Sequence, residues 1–341
     1  MNNIKLTIGI PVYNGERFIK KTLDSITDQL IDDEYMLEIV ISDNASTDKT
    51  AEIIFSYKNN YKYLIKYFKN ERNMGYDKNI DLVIQRSEGQ SVWLLGCGDL
   101  LLPGVLDYII HKLEILKYDY IQLNFNMYSE ETEKFEVINN STITNDTKFE
   151  SIEEFFKKLG GPAMAVSANI VRKKCWIEIY KNRLTAQGWC HIERIINMLL
   201  NEKIQIFFIS KCCFTLYREL DGWWTSSAVY TNYIQYQKIL NNMRKKRVSK
   251  KIVKILYKRH YPLPLITSII LGKRTGLKFD FKLIMEVTNL FYKSVLFWLV
   301  ILPLILLPNH IYKNKEFYRI YLYSRDLYTR IKLFYKKGTR I

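Results

Sequence analysis

No two cysteines stand in a Cys-x-x-Cys spacing, and the total of five is odd, so neither a disulfide framework nor a zinc site is indicated and a reducing compartment suits the chain. The turn after the first apolar run reads PVYNGER. It lacks Gly-x-Gly-x-x-Gly, which removes the dinucleotide fingerprint and argues against an oxidoreductase. Acidic side chains are outnumbered, 35 Asp and Glu against 51 Lys and Arg, for a formal charge of +16. That balance points to anionic partners: nucleic acid, anionic lipid or phosphorylated substrates. The apolar run from Val295 to Leu307 falls short of a comfortable membrane span, is interrupted by Pro303, and takes in Lys293 if extended back to Leu290. Runs of that length belong to interfacial, re-entrant or buried segments. The N-terminus enters a strand pattern after one lysine, without a long h-region or cleavage site, which predicts a cytoplasmic protein. Internal repeats and low-complexity tracts are also missing.

What is present is a core. The 341 residues are 48% hydrophobic and 14% aromatic, enough for one large domain with an appendage. From Lys5 to Phe125 short β-branched runs alternate with helical periodicity, the pattern of a mostly parallel α/β sheet. Strands are expected at Leu6 to Ile10, Leu37 to Ser42, Leu64 to Phe68, Val92 to Leu95 and Tyr120 to Phe125. Helices are expected near Glu16 to Gln29, Thr47 to Tyr57, Asp77 to Arg86 and Pro103 to Lys117, the last opening on its proline. The polar stretch from Ser129 to Glu150 reads as an excursion, a hairpin rather than a linker. A helix at Ile152 to Leu159, a strand at Ala168 to Val171, a helix at His191 to Leu200 and a strand at Ile206 to Ile209 continue the fold. The division expected is an α/β domain over 1–225 and a helical, basic and apolar region over 226–341, with RKKRVSKK from Arg244 to Lys251.

Four loops carry candidate chemistry. Pro11 to Asn14 (PVYN) follows the first strand, where open α/β sheets place ligand-contacting loops; a plain strand-ending turn reads the same way. Ser42 to Asp48 (SDNASTD) offers Asp43 as an acceptor for a nucleobase N–H, with Ser46, Thr47 and Asp48 explained by helix capping. Asn70 to Asn79 (NERNMGYDKN) offers Arg72 and Lys78 for a diphosphate or base, or is a solvated loop. Trp93 to Gly104 (WLLGCGDLLLPG) ends in a Gly turn that delivers Asp99, suited to a hard divalent ion that also binds substrate phosphates; a capping role for the next helix is the plainer alternative.

In this order and spacing, IPVYN, VISDNASTD, NERNMGYDKN and WLLGCGDLLLPG resemble the family 2 glycosyltransferases of GT-A fold, and more closely the bacterial O-antigen group with its abequosyltransferase-like enzymes. The resemblance covers about residues 5–220. It implies a Rossmann-like GT-A sheet and a nucleotide-sugar donor held near Pro11, Tyr13, Asn14 and Asp43, with Arg72 and Lys78 closing over base or diphosphate. Asp99 falls on the last carboxylate of the family's DxD motif, the one expected to meet Mn or Mg. The acidic residues usual just before it are replaced by Cys97-Gly98. Either Asp99 with diphosphate and water suffices, or the metal role is diminished. Cys97 reads as a small filler rather than a soft ligand.

Inverting transfer needs a base for the acceptor hydroxyl. The matching region, Gly188 to Ile195, offers His191, whose ordinary pKa lies near neutrality, with Glu193 as the alternative and Trp189 as a platform for the acceptor sugar. Further on, Arg218 suits the diphosphate, while Trp223 and Trp224 suit a sugar face, the core or a lipid-facing lip equally. Basic clusters beside apolar helices after Tyr230 suit an anionic membrane surface. With the lipid-linked saccharide acceptors of the family, that implies work at the cytoplasmic face of the cell membrane. Two alternatives stand beside this. One is a catalytically weakened nucleotide-sugar-binding or scaffold protein of the same fold, motivated by Cys97-Gly98. The other is a nucleic-acid-binding protein; it rests on charge alone and lacks any aromatic-basic recognition module, so no nucleic-acid partner is expected.

Overall fold

The computed structural model describes residues 4–30, 36–62, 64–130, 133–138, 143–180, 183–201, 204–218, 229–246, 248–321 and 323. Two compact units divide the chain: Met1–Leu220 with Lys238–Tyr257, and Asp221–Gln237 with Lys258–Ile341. The boundary read from the sequence at 225 lies near the first exit of the chain. The return of 238–257 to the first unit was not legible there.

The first unit is built on a sheet of ten strands among the described residues. β1 (Leu6–Val12) and β2 (Leu37–Asp43) are buried along nearly their whole length, on both faces, as central parallel strands are. β3 (Ile65–Lys69) pairs with β2, and β4 (Ser91–Leu94) pairs with β1, all parallel. α1 (Ile19–Thr27), α2 (Thr50–Asn60) and α3 (Tyr76–Arg86) supply the crossovers between them. Parallel strands joined this way bring their carboxyl ends to one edge.

Past β4 the sheet turns mixed. After β5 (Leu100–Leu101) and α4 (Val105–Ile115) come β6 (Tyr120–Ser129), β7 (Lys134–Ile138), β8 (Thr147–Phe149), α5 (Ile152–Leu159), β9 (Asn169–Arg172), α6 (Lys173–Tyr180), α7 (Cys190–Leu199) and β10 (Ile206–Arg218). The order is β3-β2-β1-β4-β9-β6-β10-β5, with β7 on β6 and β8 on β10. β9 runs antiparallel to both β4 and β6, whereas β10 is parallel to β6. The β6–β7 hairpin accounts for the polar excursion.

Several expected boundaries shift, and for two of them the cause is visible. α4 begins at Val105, after Gly104 in the left-handed conformation at φ 69°, so Pro103 lies outside it. Its first amides are held by a side chain from elsewhere, the Gln29 amide oxygen, at 3.0 Å from Val105 N and 3.3 Å from Leu106 N. β10 continues well beyond Ile209, because register shifts between Ile209 and Phe214 let it pass the polar Ser210-Lys211 pair and pair on to Arg218.

After β10 the chain is helical: α8 (Tyr236–Lys245), α9 (Lys250–His260), α10 (Leu263–Arg274), α11 (Phe281–Phe291), α12 (Leu302–Leu306) and α13 (Asn309–Lys313), with wide helical turns at Tyr230–Gln235 and Phe297–Ile301. The second unit has its own core around Ile270, Leu271, Tyr312, Tyr318 and Tyr321. Among the described residues, no helix is long and apolar enough to cross a membrane.

Candidate active site

The loops leaving β1, β2 and β3 are tied to one another at the carboxyl edge of the sheet. Pro11 is opposite Ser42 and Val12 opposite Asp43 in register. Asn14, in the left-handed region at φ 50°, donates its amide to Ser46 Oγ at 2.9 Å, and its side-chain oxygen accepts from Thr47 N at 2.9 Å. Asp48 accepts from the amides of Glu16 and Thr50. Ser46 and Thr47 therefore bridge the two loops rather than cap α2, whose first residue is Thr50. Asp43 is fully buried: Oδ1 accepts from Ser46 N at 2.8 Å and Oδ2 from Tyr67 OH at 2.6 Å. One lone pair on each oxygen is left for a ligand. Asn44 ties in the third loop, accepting from Met74 N at 2.8 Å and donating to Asn73 at 2.7 Å. Tyr13 stands 49% exposed at this rim, and Arg72 is exposed on the β3–α3 loop.

Lys78 does not point to this rim. It lies in the first turn of α3, and its amine donates to Tyr180 OH of α6 at 2.7 Å while sitting 5.4 Å from that ring's centre. Its expected diphosphate contact is withdrawn in favour of a bracing role. Arg218 ends β10 opposite Ser129 of β6; its side chain lies outside the described residues, as do Trp223 and Trp224.

Asp99 follows Gly98, which at φ 111° takes a conformation few other residues adopt. The carboxylate is buried, accepting from Ser167 Oγ and, at 3.3 Å, from Tyr217 N. No basic side chain pairs with it among the described residues, and burial pushes its pKa up to about 7 against the pull of those two hydrogen bonds. It caps no helix. Cys97 Sγ packs beside Gly15, 2.8 Å from where a side chain there would begin, as a filler would.

His191 sits in the first turn of α7, 2% exposed, its ring 5.6 Å from Trp189 and 6.2 Å from Tyr76. Nε2 lies 3.0 Å from the Met164 carbonyl, which can only accept, so the proton is on Nε2 and the lone pair on Nδ1. Nδ1 is buried with no hydrogen-bond partner among the described residues. Burial lowers the pKa to about 4, opposed by the Met164 hydrogen bond and by Asp77, so the ring is neutral at pH 7. Tyr76 is buried beside His191, and burial, with the charges of Cys190, Asp77 and Asp99, pushes its phenol well above the usual range. Glu193, two residues on, spends its carboxylate on the loop before α7: Thr185 N at 2.9 Å, Thr185 Oγ1 at 2.6 Å and Ala186 N at 3.2 Å. Trp189, 6% exposed, backs His191 and presents no open face for a sugar.

The profile of Glycosyl transferase family 2 matches residues 7–222 of this arrangement. The chain belongs to that family. Over 94 residues it is 39% identical to abequosyltransferase RfbV of Salmonella typhimurium, covering 27% of each chain. Over 186 residues it is 26% identical to an uncharacterized glycosyltransferase of Methanocaldococcus jannaschii, covering 51% of this chain and 59% of that one. These matches span from about a quarter to three fifths of the curated relatives' lengths. Staphylococcus aureus TarS 1-349, solved with UDP, superposes with a TM-score of 0.58 at 16% identity over 83% of both chains. The mannosyltransferase PcManGT of Pyrobaculum calidifontis, solved with GDP-Man and Mn2+, gives 0.53 at 13% identity over 88% of this chain and 81% of that one. These likenesses show a GT-A fold, with a mixed α/β central sheet and a helical C-terminal part.

A family 2 glycosyltransferase is a transferase enzyme, and among the described residues no group of three or more His, Cys, Asp or Glu stands together as a metal site. Asp99 is a buried carboxylate that meets no basic side chain among the described residues, a setting that would suit a divalent ion. Three further residues at the site escaped the sequence reading: Ser167 and Tyr217, which hold Asp99, and Asp77, which accepts from Gly188 N at 2.7 Å and Cys190 N at 3.0 Å at the start of α7. Asp77 alone left a trace, an acidic residue in the first turn after Gly75.

Proposed function

We propose that the chain transfers a sugar, with inversion, from a nucleoside-diphosphate sugar to a hydroxyl of a saccharide acceptor, with His191 as the base. The observation that carries this is the Nδ1 of a neutral, buried histidine, unprotonated and without a hydrogen-bond partner among the described residues. As the acceptor oxygen bonds to the anomeric carbon, the bond from that carbon to the diphosphate oxygen breaks on the opposite face, and the hydroxyl proton passes to Nδ1. Glu193 is set aside as the base because its oxygens already hold Thr185 and Ala186. Pro11, Tyr13, Asn14 and Asp43 form the bed for the nucleoside, with Arg72 closing over it and Arg218 reaching the diphosphate. Asp99 would hold Mn or Mg, which when bound offsets charge on the leaving diphosphate.

The acceptor in this proposal is a lipid-linked saccharide in surface-polysaccharide assembly, met at the cytoplasmic face of the cell membrane. Similarity to an abequosyltransferase supports it. The replacement of the usual acidic residues by Cys97-Gly98 favours a second possibility, a nucleotide-sugar-binding protein with weak or no turnover. Thermal shifts with UDP-, GDP-, CDP- and dTDP-sugars, with and without Mn, identify the donor by the rise in melting temperature. With that donor, His191→Gln is expected to lower kcat by about 10²–10⁴-fold while leaving donor affinity nearly unchanged. Binding without turnover in the unmodified protein would favour the second possibility, and full activity of His191→Gln would remove the base.

A further inference from the structure

In the second unit a short helical rod runs from Val295 through the wide turn Phe297–Ile301 into α12 (Leu302–Leu306). One flank is core: Phe297, Ile301 and Ile305 are buried at i, i+4 and i+8. The opposite flank should be polar on a water-facing helix. Instead it carries Val295 and Leu299, each 72% exposed, Leu306 at 61% and Trp298 at 49%. Phe281 and Tyr292, at the two ends of α11, are exposed as well. Scattered apolar residues on a surface need no explanation, but a contiguous flank without one polar side chain does.

Three polar groups of this rod find partners within the second unit. Trp298 Nε1 donates to the Tyr292 carbonyl at 2.7 Å. The carbonyls of Leu304 and Ile305, freed where Pro308 ends the helix, accept from Tyr312 OH and, at 2.6 Å, from Lys273 Nζ. These three groups can therefore leave water without being stranded, as entry into hydrocarbon requires. Its surroundings are basic: from Lys258 to Tyr321 there are ten Lys and Arg against Asp280, Glu286 and Glu316. Lys282 and Lys293 are exposed, beside the exposed Phe281 and Tyr292 in the chain. At 1.5 Å per residue the rod is roughly 18 Å long, too short to span a bilayer but enough to lie within one leaflet.

We infer that this flank docks the enzyme on an anionic bilayer surface, with Val295, Trp298, Leu299 and Leu306 immersed among the acyl chains and Lys282 and Lys293 at the headgroups. The inference deepens the proposed use of a lipid-linked acceptor by naming the surface that meets the lipid. The test is flotation of the full chain with phosphatidylcholine vesicles, with and without phosphatidylglycerol. The unmodified protein is expected to float with the anionic vesicles, and Val295→Asp/Leu299→Asp to lose about tenfold or more in partitioning. Lys282→Glu/Lys293→Glu, which leaves the apolar flank whole, is expected to lose only the preference for anionic lipid.

Equal flotation of the Asp double variant, or no flotation of the unmodified protein, would overturn the assignment. So would a concentration-dependent dimer abolished by the same variant, which would give the flank to a second copy of this chain. Donor turnover measured in the same samples with a soluble saccharide is expected to be unchanged by either variant. Loss of turnover with flotation intact would count against the catalytic reading instead.

Discussion

At the scale of single residues, the site holds two buried titratable groups that burial moves in opposite directions. Asp99 is held at about 7 against an ordinary 3.8, so between those values the folded chain keeps a proton that the unfolded chain releases. Stability from this group falls as pH rises through that window. His191 is held at about 4 against 6.5, so the unfolded chain takes up a proton that the folded chain refuses, and stability falls as pH drops from about 6.5 toward 4. In the unmodified protein the two slopes offset each other over the shared range. Asp99→Asn is expected to leave a protein that loses stability on acidification from pH 6.5 to 4.5, and His191→Gln one that gains it. Urea midpoints across that range decide, and parallel profiles for the two variants would contradict the assigned shifts. Sequence alone named both residues as candidates. It could not place their pKa values, because those depend on Ser167, Tyr217 and Met164, distant in the chain.

At the scale of elements, α3 and α7 act as a coupled pair. The loop entering α3 is bound through Asn73 and Met74 to Asn44 of the β2 loop, while Asp77 in its first turn grips the amides that open α7. Deeper along the two helices, Asp81 pairs with Arg194 at 3.4 Å and accepts from Trp176 at 3.0 Å. Asp77→Asn keeps the shape but weakens a charge-assisted cap worth about 1 kcal/mol. It is expected to lower kcat several-fold with little change in donor KM, and to shift the acid limb of the pH–rate profile by removing a charge near His191. An equal loss in kcat and donor affinity would instead mean that it contacts the donor. The strands and helices of the first 125 residues were legible because their apolar periodicity is local. The start of α4 and the full length of β10 were not: Gln29 from another helix sets the first, and pairing to β6 and β5 the second.

At the scale of the whole molecule, the chain leaves the first unit after Leu220, returns for Lys238–Tyr257, and leaves again. In the returning segment Ile239, Leu240, Met243, Ile252, Val253 and Leu256 are buried, and Lys246 donates to Asn197 of the first unit at 3.0 Å. At about 1.5–3 kcal/mol for each buried aliphatic side chain, their loss rivals the net stability of a domain. Truncation after Asn232 is therefore expected to give insoluble protein or a melting temperature lowered by more than about 10 °C, not a free catalytic unit. A soluble fragment with unchanged melting would show that α8 and α9 are dispensable.

The sequence by itself determined the family, the α/β framework of the first half and the four rim loops, because strand and helix periods and turn chemistry are written within a few residues of one another. Tertiary structure alone decided that Lys78 braces Tyr180, that Glu193 holds its own loop, that Asp99 is buried and that the apolar run at 295–306 faces outward on one side. Which group a side chain meets, and whether water reaches it, are properties of the neighbours that packing supplies, and no local pattern encodes them.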